Sequence, residues 1–174
     1  MNGRRHFTSR LLIPFLLALS LSLAVAGCRA GDDTAGPPEI RYGEDICDQC
    51  NMLISDPRFA AAYATEAGDT RRFDDIGGMF LYAGERDEAA RAFWVHDFHD
   101  EAWVEATEAT FVHNPGLTTP MGWGLAAFAT LEDAQAYGDA QMGTVLTFAE
   151  LQEQIRRGDL LPQGMAGHDH DGIN

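Results

Sequence analysis

The chain has 174 residues with 12 basic and 27 acidic side chains, a formal net charge of −15 at pH 7. Nucleic acid and anionic lipid surfaces reward basic patches, so this balance excludes both as partners. Every basic side chain is Arg and none is Lys, a pattern of genome composition or salt adaptation more than of mechanism.

Residues 1–27 read as a cleavable export signal: Arg4, Arg5 and Arg10, an apolar run from Leu11 to Ala26, then Val25-Ala26-Gly27-Cys28. The apolar run is broken by Pro14 and is shorter than the roughly 20 residues of a spanning helix. A hydrophobic and small residues before Cys28 resemble a bacterial lipobox, which makes Cys28 the lipidated N-terminal residue and an anchor, not a ligand. Loss of the three signal arginines takes the net charge to −18. The mature body is then expected in the periplasm or cell envelope, in water beside a membrane. Residues 28–44 are rich in Gly, Asp and Pro and read as a flexible tether, and 161–174 as a flexible tail.

Between them, 45–160 predicts an α+β domain with lobes at about 45–99 and 100–160. Phe59 to Thr65 and Arg71 to Phe73 bracket Gly68-Asp69 as a hairpin. Asp75 caps a helix from Ile76 to about Gly84, and Phe93 to Phe98 follows as a strand. A second series begins at Trp103, with strands near Ala109 to His113 and Gly124 to Phe128. Thr130 and Asp133 open a helix reaching about Gln141, as in a capping box. Thr144 to Leu146 is a strand, and Thr147 to Glu150 starts a last helix ending near Gly158. Phe73 with Asp75, and Phe128 with Thr130, mark the same point of two similar series 55 residues apart. Two duplicated ββαβ-like units follow from that order.

Cys47-Asp-Gln-Cys50-Asn-Met52 carries the chemistry. Thiolate and thioether donors select Cu(I), whereas Zn(II) prefers four ligands from Cys, His and carboxylate. Cys50 and Met52 are two apart, so an extended segment would send both side chains to one face. Cys47 supplies a second thiolate or pairs with Cys50 as a disulfide, which an oxidising compartment permits. A Cys-x-x-Cys pair also serves redox proteins and zinc knuckles, so a thiol–disulfide lipoprotein and a zinc-binding structural lipoprotein stand as alternatives. Haem attachment needs His directly after the second Cys, where Asn51 stands.

Cys50-Asn-Met52-Leu-Ile54, Phe73-Asp-Asp75-Ile-Gly77 with Met79, and Pro120-Met121-Gly122-Trp-Gly124-Leu-Ala-Ala-Phe128 together resemble the NosL family over roughly residues 44–157. The resemblance implies a pair of ββαβ-like units and a Cu(I)-binding lipoprotein that acts in assembling the copper sites of nitrous oxide reductase. It makes Cys50 the thiolate ligand, Met52 its thioether neighbour and Met121 the remote methionine that closes the site. Cys47 is less firmly tied to the family pattern. The implied partners are apo nitrous oxide reductase or the transporter-linked machinery that matures it.

Other candidates have plainer explanations. Asp74-Asp75 reads as a helix cap beside a solvated acid. His96, His99 and His113 fall on or beside strands, where His is ordinary, although His96 or His113 could complete a three-coordinate copper site. His168 and His170 could bind metal loosely in the tail. No nucleophile with an oriented base, phosphate loop or carboxylate dyad is evident, so no enzyme activity is expected.

Overall fold

Small side chains in one strand let the first sheet pack on both faces. The computed structural model describes residues 36–86 and 88–163. Strand β1, Ala61–Thr65, is buried at all five positions, and three of its five residues are alanines. It lies between β2 (Thr70–Phe73) and β3 (Ala90–His96), both antiparallel, with Ala61 opposite Phe73 on one side and Val95 on the other. Gly68 takes φ 93° in the β1–β2 turn, a conformation that costs an L side chain and not glycine. The sheet order is β2-β1-β3-β4, closed by the short β4 (Trp103–Glu105). The residues expected to open the second series therefore form the fourth strand of the first sheet.

The second sheet has the order β6-β5-β7, again antiparallel, from β5 (Thr110–His113), β6 (Leu125–Phe128) and β7 (Thr144–Thr147). Helix α1 (Ile76–Arg86) follows β2, and α2 (Leu131–Gln141) follows β6, so each unit runs strand, strand, helix, strand. Helix α3 (Phe148–Arg157) follows β7 directly. The expected elements all form, with ends displaced by a few residues.

Phe80 on α1 joins the two units. Its ring contacts Phe93 of β3, Phe111 of β5 and Phe148 of α3, with centroids 5.2–6.2 Å apart, so both sheets bury apolar surface against one helix. Such pairs contribute on the order of 1 kcal/mol beyond area burial. A smaller cluster of Val112, Ala126, Phe128 and Ala134 lies under α2.

A polar tie adds to this apolar join. Buried Asp97 accepts from the amides of His99 and Asp100 in its own turn and from Ala129 in the other unit at 2.7 Å. Burial pushes its carboxyl up, but these three amides outweigh it and hold the pKa below the ordinary value.

Candidate metal centre

The cysteines sit on a tight loop, not on an extended strand. Asn51 N–H donates to the Cys47 carbonyl at 3.0 Å and Cys47 N–H to the Met52 carbonyl at 2.8 Å, which folds residues 47–52 back on themselves. Asn51 turns the chain with φ 59°, in the left-handed region that Asn tolerates better than most residues. The expected shared face of Cys50 and Met52 is therefore corrected: the left-handed residue between them breaks the alternation. Met52 is half exposed.

The loop is fastened to β2. Asp48 N–H donates to the Arg72 carbonyl at 2.9 Å, and Arg72 N–H to the Asp48 carboxylate at 2.7 Å. This registers the cysteines against the residues that follow β2, Asp74 and Asp75. Donor atoms of Cys47, Cys50 and Asp74 all lie within 4.8 Å of one another, the one such group of His, Cys, Asp and Glu among the described residues. The Cys50 thiol points at both Asp74 oxygens, 3.5 and 3.6 Å away. Both cysteines are free thiols. Cys47 is fully buried, and burial pushes its thiol up to about 12. Cys50 is partly open to solvent.

Asp74 is not the solvated acid the sequence suggested. It is 1% exposed, because the loop carrying the cysteines covers it. Asp75 does cap α1, accepting from Gly77 N–H at 3.1 Å, but its other oxygen reaches the second unit. There it accepts from the Thr119 hydroxyl at 2.6 Å and from Met121 N–H at 3.0 Å. Burial dominates these bonds and pushes the Asp75 carboxyl up to about 6. The carboxylate of one unit thus holds the backbone of the other unit's Pro-Met-Gly turn.

That turn is further fixed by Gly122 at φ 75°, whose N–H bonds the Thr119 carbonyl at 3.0 Å. Met121 comes to rest on α1: its Sδ lies 2.9 Å from where a Cβ on Gly78 would stand, and the Gln49 side chain lies 3.8 Å from the same point. Gln49 directly precedes Cys50. The loop of the first unit and the turn of the second therefore meet over the first turn of α1.

The histidines stand outside the sulfur cluster. His96 is buried, with Nε2 3.2 Å from the Tyr42 hydroxyl, Nδ1 3.3 Å from the Ala60 carbonyl and its ring 3.7 Å from that of Trp103. Burial lowers its pKa and favours the neutral ring. His113 lies on β5 between Leu125 and Thr144 and is likewise lowered by burial. His99 packs against Phe98 and Phe128. Cys28, His168 and His170 lie outside the described residues. Among the described residues no helix is long and apolar enough to cross a membrane.

The family model for NosL matches residues 40–156, which contain the loop, Asp74, Asp75 and Met121. The chain belongs to the NosL family. The copper-binding lipoprotein NosL of Stutzerimonas stutzeri is 28% identical over 168 residues, covering 89% of this chain and 88% of that protein. The crystal structure of the copper chaperone NosL from Shewanella denitrificans superposes with a TM-score of 0.59 at 22% identity, covering 66% of this chain and 94% of that one. That similarity shows a shared NosL fold.

Asp74 is the site residue the sequence reading undervalued. Its neighbours in sequence gave no sign of this, because what buries it is the loop carrying Cys50, 24 residues earlier. Thr119 carried no signal either, since one hydroxyl in a Thr-Thr-Pro stretch does not announce a buried partner 44 residues away.

Proposed function

We propose that this protein is an envelope lipoprotein that captures Cu(I) and passes it on. Cys50 and Met52 from the loop and Met121 from the second unit are the ligands, with Cys47 in reserve as a second thiolate. The observation that carries the reading is the convergence, over the start of α1, of the two-thiol loop and the turn bearing Met121. Polarizable sulfur donors of this kind select the cuprous ion. The names of the Stutzerimonas and Shewanella proteins support copper as the cargo.

Site chemistry favours transfer over storage. Cys50 and Met52 both reach solvent, so an acceptor's ligand can approach the ion before the last donor lets go. Metal binding displaces the Cys50 proton, and the Asp74 carboxylate already accepts that S–H. The N-terminal end of α1 directly follows these groups and favours the negative charge that remains. The thiol–disulfide alternative fits less well. Fully buried and with its thiol pushed up by burial, Cys47 is a poor attacking thiolate.

Lipidation at Cys28 would hold the body near a membrane, raising its effective concentration beside a membrane-bound partner; the body begins earlier than the expected residue 45, since Ile40 is buried in the core and Gly43 N–H bonds the Ile54 carbonyl at 2.8 Å. The acceptor we assign is apo nitrous oxide reductase or the transporter-linked machinery that matures it. The test is a Cu(I) titration of the reduced protein against a competing chelator, with Cys50→Ser, Met52→Ala and Met121→Ala alongside. Near-complete loss in the serine variant and partial loss in each alanine variant are expected. Equal binding by all four proteins would remove the assigned site.

A further inference from the structure

Helix α1 opens with two consecutive glycines, Gly77 and Gly78, in a part of the chain where glycine weakens the helix. Neither has the positive φ that would require glycine, so conformation does not explain them. What each Cβ would meet does. At Gly77 it would stand 2.1–2.7 Å from the ring of Trp123, a buried side chain with no room to retreat. At Gly78 it would stand 2.9 Å from Met121 Sδ and 3.6 Å from Met121 Cε, the far end of a flexible side chain. One glycine makes space for the core. The other makes space for a thioether.

We infer that Gly78 is a positioning residue for the copper site: its bare Cα is the seat on which the Met121 thioether rests beside the cysteine loop. The inference rests on the reading of Met121 as a ligand. Backbone anchors on either side make the seat meaningful. The Met121 amide is fixed to the Asp75 carboxylate, and the following Gly122 carbonyl accepts from Gln163 N–H at 2.7 Å. With the main chain pinned at both points, the reach of the side chain is set by the surface it lies on, and that surface is Gly78. A methyl group there shifts the sulfur while the backbone stays in place. The neighbour on the other side of the seat is Gln49, so the displacement occurs where the Met121 turn meets the loop carrying Cys50.

Gly78→Ala separates this role from a structural one, because the two act in opposite directions. Alanine is the better helix former, and the atoms it displaces are mobile, so the metal-free variant should fold with a melting temperature equal to or above that of the wild type. Its Cu(I) affinity should fall about ten- to a hundredfold, the range seen when groups that orient ligands are altered. The experiment is a chelator-competition titration of the full chain, reduced and metal-free, as wild type, Gly78→Ala, Met121→Ala and the double variant, with thermal melts of each. The glycine effect should vanish in the Met121→Ala background, since no thioether is left to misplace. X-ray absorption of copper-loaded Gly78→Ala should show one sulfur neighbour fewer than the wild type.

A Gly78→Ala variant that binds like the wild type while Met121→Ala binds weakly would overturn the seat and leave the ligand reading intact. Wild-type affinity in Met121→Ala would overturn both. A loss that persists undiminished in the double variant would show a general distortion of α1, and failure of Gly78→Ala to fold would show that the displaced atoms are not free to move. Either result overturns the inference.

Discussion

The Asp75 carboxylate accepts the Met121 amide at 3.0 Å across 46 residues, so a helix cap in one unit sets the position of a candidate ligand in the other. Burial costs this carboxylate more than its three hydrogen bonds return, and its pKa rises from 3.8 to about 6. A folded-state pKa above the unfolded one means that the protonated form is favoured by folding. The associated stability is complete below about 3.8 and is lost as pH rises through about 6. The span corresponds to about 3 kcal/mol at most. Urea unfolding of metal-free wild type and Asp75→Asn between pH 4 and 8 checks it. The difference in stability between the two should move against the wild type from pH 4 to about 7 and then level off. A difference that does not vary with pH would contradict the assignment.

The two cysteines should differ in reactivity. Cys47 is fully buried with its thiol pushed up to about 12, whereas Cys50 is partly exposed. The thiolate is the nucleophile, so iodoacetamide at pH 8 should label Cys50 first and leave Cys47 unmodified until the protein is unfolded. Peptide mass mapping over time reads this directly. Equal labelling rates would mean that the loop opens far more readily than its hydrogen bonds to β2 suggest. Bound Cu(I) should protect Cys50 as well.

Much of this architecture was legible because local signals agreed with the tertiary outcome. Gly68-Asp69 marked the first hairpin, and Thr147 with Glu150 marked α3, each a short-range rule that packing did not override. The candidate ligands lay in motifs that bring the loop and the Pro-Met-Gly turn together by family resemblance, though no spacing rule predicts a contact of Met121 with α1. What failed were inferences that assumed regular backbone or average burial. Asn51 breaks the alternation between Cys50 and Met52, and Asp74 is drawn inside by a loop 24 residues earlier. Trp103 reads as the start of a new unit, yet pairing with β3 places it in the first sheet: Trp103 lies opposite His96. Long-range pairing of that kind leaves no mark in a local window. The meaning of the glycine pair at 77–78 required seeing what rests on it.

Asp74 should affect metals unequally. Its carboxylate is a hard donor placed with two thiols, a set that suits Zn(II), whereas Cu(I) draws on sulfur. Asp74→Asn keeps the shape and removes the charge. Zn(II) affinity should fall at least about tenfold and by more than Cu(I) affinity, so the variant becomes more selective for copper. Parallel competition titrations with both ions give the ratio. A larger loss for Cu(I) than for Zn(II) would place the carboxylate on the cuprous ion itself.

Binding should also be separable from stability at α3, far along the chain from the sulfur donors. Thr147 and Glu150 form a reciprocal capping box: the Glu150 amide donates to the Thr147 hydroxyl at 3.3 Å, and the Thr147 amide to the Glu150 carboxylate at 2.8 Å. Thr147→Ala removes one half of it, and such caps contribute about 1 kcal/mol. For a domain of this size that loss lowers the melting temperature by roughly 3–5 °C. The Cu(I) affinity should stay within twofold of wild type, because Phe148 at the start of α3 packs on Phe80, beyond the first turn of α1 where the sulfur donors meet. A parallel fall in affinity and melting temperature would mean that the site responds to global stability. Affinity changes elsewhere would then have to be corrected for stability before being assigned to ligands.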